Sequence, residues 1–236
     1  MTTNYQPKSA IVTGATRGIG FAIAEKYRSE GYDLTCVGSK PVGSGPVGTR
    51  YISADFTKES DVDSLCNELA LIKPDVLVNC AGINVIGPFA DIDSQDFRRI
   101  QLVNVQAPFE LCKACVPSMK SAGWGRIVNI GSVWGKIGKE LRASYSTSKY
   151  AVEGMTAALA AEVAEFGILA NTVSPGIIET EMTRSVLTED QIDNLIQTVP
   201  SRRLGQPEEV AELVYWLGSP NNTFVSGQNI AIDGGL

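Results

Sequence analysis

No histidine occurs anywhere in the 236 residues. That absence removes Ser-His-Asp triads, H-E-x-x-H metalloprotease sites and histidine-ligated metals together. Acid–base chemistry must then come from tyrosine, lysine, cysteine or a carboxylate. Cysteine is sparse as well. Cys36, Cys66, Cys80, Cys112 and Cys115 are an odd number at irregular spacing, which is not a disulfide framework. Cys112-Lys-Ala-Cys115 is formally C-x-x-C, but it lies in a helical pattern with no second pair, so it reads as helix packing and no metal is expected. No run of about 18 apolar residues exists, so no transmembrane helix is expected. Met1 to Lys8 are polar, and no apolar stretch follows a basic cluster. No secretory signal is therefore expected, and the expected compartment is the cytosol. Lys and Arg number 20 against 26 Asp and Glu, a net charge of -6 without a basic cluster. Neither a nucleic-acid nor a membrane partner is expected from that balance.

What the chain does have is the composition of a globular protein, 44% hydrophobic and 19% charged, at a length that suits one domain over residues 1–236. Short apolar runs alternate with helical spacing. The strand candidates are Ser9 to Val12, Asp33 to Val37, Arg50 to Ser53, Asp75 to Cys80, Arg126 to Ile130, Ile168 to Val173 and Gln228 to Ile232. Helices are expected over Ile19 to Glu30, Ser60 to Leu71, Phe97 to Met119 (one or two helices), Tyr145 to Glu165 and Pro207 to Leu217. Residues 38–48, rich in Gly and Pro, should be a loop. This alternation predicts an α/β fold: a single Rossmann-type, doubly wound parallel sheet of about seven strands with helices on both faces.

Thr13-Gly14-Ala15-Thr16-Arg17-Gly18-Ile19-Gly20 follows the first strand and opens the first helix. Gly14 permits a tight turn. Gly18 and Gly20 let a phosphate approach a helix N-terminus, where free N–H groups favour anions. The position of the loop reads as a dinucleotide site. A cofactor with a free ribose 2′-OH is usually met by a carboxylate just past the second strand. Gly38-Ser39-Lys40 stands there instead, and Arg17 adds a second cation. Ser39, Lys40 and Arg17 suit a 2′-phosphate, which favours NADP(H), with NAD(H) as the alternative.

About 130 residues further on comes Tyr145-Ser146-Thr147-Ser148-Lys149. On a helix this puts a phenol and an amine on one face. Reducing a ketone needs hydride at carbon and a proton at oxygen. A free tyrosine titrates near 10, and a neighbouring ammonium favours the phenolate, which suits general acid–base catalysis.

At this point the chain resembles the short-chain dehydrogenase/reductase family over nearly its full length. The motifs that carry the resemblance are Thr13 to Gly20, Asn79-Cys80-Ala81-Gly82 (usually Asn-Asn-Ala-Gly), Ser132, Tyr145-x-x-x-Lys149 and Pro175-Gly176. Pro175 to Thr183, Arg203 to Val210, and the ending Ser226 to Gly235 look most like the β-ketoacyl-carrier-protein reductase branch. The resemblance implies a tetrad. Tyr145 would exchange the proton, Lys149 would assist it and hold the nicotinamide ribose, Ser132 would polarise the carbonyl, and Asn104 would hold a proton-relay water. It also implies cofactor contacts at Gly14, Thr16, Arg17, Gly18, Ile19, Gly20, Asp55 (to the adenine), Asn79, Ala81 and Gly82. Pro175, Gly176, Ile178 and Thr180 would wrap the nicotinamide.

The activity so implied is reduction of a 3-oxoacyl thioester or related ketone with NADPH. The alternatives are an NAD(P)+-dependent dehydrogenase of a sugar, polyol or hydroxy acid, and a non-catalytic nucleotide-binding regulator. A homotetramer, or a dimer, built through the helices around 97–119 and 145–165 is implied too. Three departures from the family matter. Residues 38–48 lack the helix many relatives carry. Phe166 replaces a basic residue used to meet an acidic carrier, leaving Lys120, Arg98 and Arg99 as candidates for that contact. The pocket loop between Ser132 and Tyr145 carries Trp134, Lys136, Lys139 and Arg142, with Arg142 at a place where such reductases often have Gln. Trp134 and Arg142 are candidate substrate contacts, and a substrate carboxylate or phosphate would suit Arg142 or Lys139. A mobile lid is expected over residues 181–200.

Overall fold

The structure, a computed structural model, describes residues 9–43, 45–181 and 189–236. Seven parallel strands form one sheet: β1 (Ser9–Thr13), β2 (Asp33–Gly38), β3 (Arg50–Ser53), β4 (Val76–Asn79), β5 (Gly125–Ile130), β6 (Ile168–Pro175) and β7 (Asn229–Ile232). Their order across the sheet is β3-β2-β1-β4-β5-β6-β7, every neighbouring pair parallel. The helices are α1 (Gly18–Ser29), α2 (Glu59–Ile72), α3 (Ser94–Gln101), α4 (Ala107–Ala122), α5 (Ala143–Val163), α6 (Glu189–Thr198) and α7 (Pro207–Gly218).

Parallel strands need crossovers, and the helices that supply them cover both faces. Alternate residues of each strand therefore enter two separate cores. Ala10, Val12, Val76, Val78 and Val128 pack with α1 and α7. Ile11, Leu77, Ile127, Ile168 and Ala170 pack with α2, α4 and α5. Leu77, Ile127 and Ile168 are fully buried, and each such side chain contributes roughly 1.5–3 kcal/mol of transfer free energy. Burial on both faces explains why the strands read as apolar runs without alternation.

The expected Phe97 to Met119 helix departs from expectation in its shape. It begins earlier, at Ser94, because the Asp93 side chain accepts a hydrogen bond from the Gln95 N–H at 2.6 Å and caps the first turn. It is then interrupted by a π-helical turn over Leu102–Gln106 before α4 continues. Such turns add a residue without ending the helix and re-aim one side chain; here that side chain is Asn104. Helix α4 stops at Gly123, whose φ of +68° suits a residue without Cβ. The 38–48 loop lies down on β2 and β3, where a Cβ on Gly43 would fall 2.5 Å from the Tyr51 ring. Of the expected lid, residues 182–188 lie outside the described residues, as do Met1 to Lys8; Glu189–Thr198 is helical.

Candidate active site

Strand order reverses between β1 and β4, so the loops leaving their C-terminal ends diverge and open a crevice. The glycine loop leaves β1 and Cys80-Ala81-Gly82 leaves β4. Ser132 follows β5, and residues 176–180 follow β6. One buried hydroxyl ties the first two loops together. Thr13 Oγ1 accepts hydrogen bonds from the backbone N–H of Cys80 and of Ala81, both at 3.0 Å. Gly14 then turns at φ +67°, and a Cβ there would lie 2.9 Å from the Ala81 backbone. Gly20 is closed in more tightly still, since its Cβ would meet the Gly14 carbonyl oxygen at 2.2 Å. Gly18 faces the opposite wall, with Thr180 Cγ2 3.5 Å from the position a Cβ would take. Thr16 and Arg17 are exposed at the mouth, and Ile19 is half-buried behind them.

Ser39 and Lys40 are exposed at the end of β2. The Lys40 carbonyl accepts from the Tyr51 hydroxyl at 2.7 Å, which holds the loop while leaving the ammonium out. Asp55 is partly turned inward. Its Oδ1 accepts from Thr57 N–H and Oγ1, and these bonds hold its carboxyl below the usual range. The Asn79 side chain turns into the core. It donates to Asn129 Oδ1 at 2.8 Å and lies 3.5 Å from Cys112 Sγ, beneath α4. It joins β4 to β5. The reason is register: Asn79 shares the parity of Leu77, whose face packs on α2, α4 and α5. Pro175 and Ile178 are buried, Ile178 within the core shared with α1 and α7. Gly176 is pressed against Asp233, where a Cβ would sit 2.7 Å from the Asp233 Cα.

On α5, one helical turn brings Lys149 Nζ 5.5 Å from the centroid of the Tyr145 ring. The ammonium is buried and donates to the Ile130 carbonyl at 2.8 Å. The Tyr145 ring is half-buried, and its hydroxyl makes no hydrogen bond among the described residues. Ser132 follows β5 and accepts from the Trp134 N–H at 3.2 Å, a bond that does not use its own hydrogen. The short turn Val133–Gly135 then packs on α5 so closely that a Cβ on Gly135 would fall 2.7 Å from Lys149 Cβ. Asn104 is buried. Its Oδ1 accepts from Ile83 N–H, and its Nδ2 donates to the Ile83 carbonyl (both 2.9 Å) and to Ser148 Oγ at 3.0 Å. A Cβ on Gly82 would lie 3.4 Å from Asn104 Oδ1 and 3.6 Å from Lys149 Nζ, so these two groups stand together over a residue with no side chain.

Two residues of this framework have roles that the sequence does not reveal. Ser148 sits inside the Tyr145-x-x-x-Lys149 motif, but nothing in spacing reveals its bond to Asn104. Leu141 takes φ +63° just before α5, a conformation that costs an L-residue roughly 1–2 kcal/mol. Its carbonyl accepts from the Gly87 N–H at 3.1 Å. The Cys112 and Cys115 thiols are buried in α4, and burial pushes both up, Cys112 to about 12. The described residues hold no metal-binding cluster and no helix long and apolar enough to cross a membrane. Arg203-Leu-Gly-Gln-Pro-Glu-Glu-Val210, a family mark in the sequence, builds the start of α7: Arg203 grips Glu209 at 2.6 and 2.7 Å, and Glu209 accepts from Gln206 N–H.

A parallel sheet with a glycine-lined crevice at its switch point, and a tyrosine–lysine pair beside it, defines an oxidoreductase of the dinucleotide-binding α/β class. Residues 14–236 match the family described as Enoyl-(Acyl carrier protein) reductase, and the chain belongs to the short-chain dehydrogenase/reductase family. It is 35% identical to the acetoacetyl-CoA reductase of Cupriavidus necator, over 96% of this chain and 97% of that one. It is equally identical, at 35%, to the 3-oxoacyl-(acyl-carrier-protein) reductase FabG of Vibrio cholerae, over 99% and 98%. A solved short chain dehydrogenase/reductase family protein superposes with a TM-score of 0.90 at 32% identity, covering 97% of this chain and 96% of that one. ElxO with NADP bound superposes with a TM-score of 0.90 at 28% identity, covering 98% of each.

Proposed function

We propose that this chain reduces a 3-oxoacyl thioester or a related ketone with NADPH, and that residues 1–236 act as one dinucleotide-binding and catalytic domain. The observation that carries the reading is the Tyr145 phenol, without a hydrogen bond among the described residues, with the buried Lys149 ammonium 5.5 Å from its ring centroid. The names of the curated relatives support a ketone as substrate.

The residues present fit NADP(H). The bare Gly82 backbone leaves room beside Asn104 and Lys149. The exposed side chains past β2 and in the glycine loop are Ser39, Lys40, Thr16 and Arg17, all donors and none a carboxylate. When bound, the cofactor supplies hydride to the carbonyl carbon. Ser132 donates to the carbonyl oxygen and disperses its growing negative charge. Tyr145 gives that oxygen its proton. Lys149 keeps one N–H on Ile130 and directs its remaining ones to the cleft, holding positive charge beside the phenol. Asn104 is a positioning residue. Both N–H donors of its amide are taken up by Ile83 and Ser148, which fixes the π-helical turn against α5. Positioned acid catalysis of this kind contributes roughly 10²–10⁴ in rate.

The same arrangement run backwards oxidises a secondary alcohol. The carboxylate-free end of β2, with Ser39 and Lys40, supports the NADPH direction. The five free thiols and the absence of a membrane-crossing helix among the described residues support a reaction in the cytosol. Exposed Phe97, Phe109 and Tyr150 on α3, α4 and α5 support a homotetramer or dimer through those helices, which light scattering would measure. Reach to an acidic carrier has little support: Lys120 is drawn to Glu162 (3.6 Å) and the Phe166 ring, and Arg99 to Asp96 (3.1 Å).

The test is a panel of 3-oxoacyl thioesters and simple ketones with NADPH and NADH, followed by nicotinamide absorbance, for wild type and Tyr145→Phe. The variant should bind NADPH normally and lose turnover by ~10²–10⁴. A variant as active as wild type, or a wild type inert to every carbonyl, would sink the reading.

A further inference from the structure

Arg142 is an unusual cation for its place. It precedes α5 directly, three residues before Tyr145, which puts the two side chains on one face of the helix start. Its guanidinium is half-buried, forms no hydrogen bond or ion pair among the described residues, and is held below its ordinary range by that burial, with the neighbouring Tyr145 acting in the opposite direction. A half-buried arginine has lost part of its hydration and normally recovers it from a carboxylate or from carbonyl oxygens. The other charges of the same loop do not provide this. Lys136 donates to the Asn229 carbonyl at 3.1 Å, Lys139 lies 5.9 Å from the centroid of the Trp134 ring, and the exposed Glu140 makes no ion pair with Arg142. The backbone leading into Arg142 is fixed, since Leu141 is in the left-handed region and its carbonyl is tied to Gly87. The arginine is therefore presented on a held segment, without a partner among the described residues, beside the group proposed to deliver the proton.

We infer that Arg142 is a specificity residue for an anionic oxygen group of the substrate, a carboxylate close to the reacting carbonyl, so that the preferred substrate class is an oxo acid. This deepens the reductase reading and rests on it. Arginine presents parallel N–H donors that match two carboxylate oxygens, and such a charge-assisted pair is specific in direction as well as charge. A phosphate offers the same oxygen chemistry. It would reach Arg142 only from the far end of a long thioester arm, whereas the nearness of Arg142 to Tyr145 places the anion within a few bonds of the carbonyl.

The experiment compares wild type, Arg142→Gln and Arg142→Lys with NADPH on four probes: acetoacetate, its ethyl ester, acetoacetyl-CoA and the phosphate-free acetoacetyl N-acetylcysteamine thioester. Thermal unfolding and NADPH affinity are measured on each variant as a check of the fold. Arg142→Gln should lose kcat/KM on the carboxylate by ~10-fold or more beyond its loss on the ester, mainly through KM, with Arg142→Lys between. Equal losses on acid and ester overturn the inference. A loss confined to the CoA thioester, absent from the N-acetylcysteamine thioester, overturns the carboxylate in favour of phosphate. A wild type that binds NADPH but reduces none of the four counts against the reductase reading. The carboxylate assignment is then decided by acetoacetate binding to the NADPH-loaded proteins, where equal affinity of wild type and Arg142→Gln overturns it as well.

Discussion

The Asn104 amide donates to the Ser148 hydroxyl across 3.0 Å, and Ser148 in turn donates to the Tyr145 carbonyl at 2.7 Å. A π-helical turn is thereby stitched to the same turn of α5 that carries Tyr145 and Lys149. Ser148 is fully buried, so Ser148→Ala leaves an Asn104 N–H without this partner. The expected cost is about 1–3 kcal/mol of stability, read from urea unfolding. We also expect kcat to fall more than KM for the ketone changes, because Asn104 and Lys149 lose their mutual placement. A variant with wild-type stability and kcat would show that the link is dispensable.

Thr13 should be more costly to alter than its place at the end of an apolar strand implies. Thr13→Val keeps the shape and removes the acceptor for Cys80 and Ala81. Each buried donor left unsatisfied costs about 1–3 kcal/mol. The loss should appear as a lower urea midpoint and weaker NADPH binding, since both loops at the switch point move with it. Unaltered affinity would mean that the glycine loop holds its shape without this hydroxyl.

Cofactor choice should respond to charge at the end of β2. Ser39→Asp places a carboxylate where a ribose 2′-OH is usually recognised and opposes a 2′-phosphate. The ratio of kcat/KM for NADPH over NADH should fall by at least ~10-fold, about 1.4 kcal/mol. A ratio that stays constant would place the 2′ position away from Ser39, Lys40 and Arg17.

Stability should decline on the alkaline side. Burial pushes the Cys112 thiol up to about 12, with the weak Asn79 contact acting in the opposite direction, and pushes Cys115 up as well. The unfolded chain ionises these thiols near 8.5, so above that pH unfolding releases protons and is favoured. Their contribution is complete below about 8.5 and is lost as pH rises toward 12. The urea midpoint of wild type should fall with pH across this window, and Cys112→Ala should flatten part of the slope. Disulfide reagents should leave Cys112 and Cys115 unmodified until the chain unfolds.

Much of the fold was readable because strand–helix alternation leaves a local signature. The runs at Ser9, Asp33, Asp75, Arg126 and Ile168 became β1, β2, β4, β5 and β6, with ends displaced by one or two residues. The Tyr145–Lys149 pairing was also readable, since helical spacing is set by the backbone alone. Asn79 shows where this stops. In a strand buried on both faces, apolar runs do not say which face a polar residue takes, so its turn toward Asn129 was not visible. The π-helical turn at Asn104 was hidden for a related reason. Its extra residue is stabilised by Ile83 and Ser148, contacts distant in sequence.

The order of amino acids, taken by itself, determined which segments are strand and helix, where the glycine turn falls, and that a phenol and an amine share one helical turn. These depend on spacing along the backbone. Tertiary packing alone decided that Lys149 is buried against Ile130, that Asn104 meets Ser148, that the Asn79 side chain joins the core, and that Arg142 stands half-buried without a partner among the described residues. Each of those outcomes depends on which distant groups desolvate or satisfy a polar atom, and only the assembled layers set that.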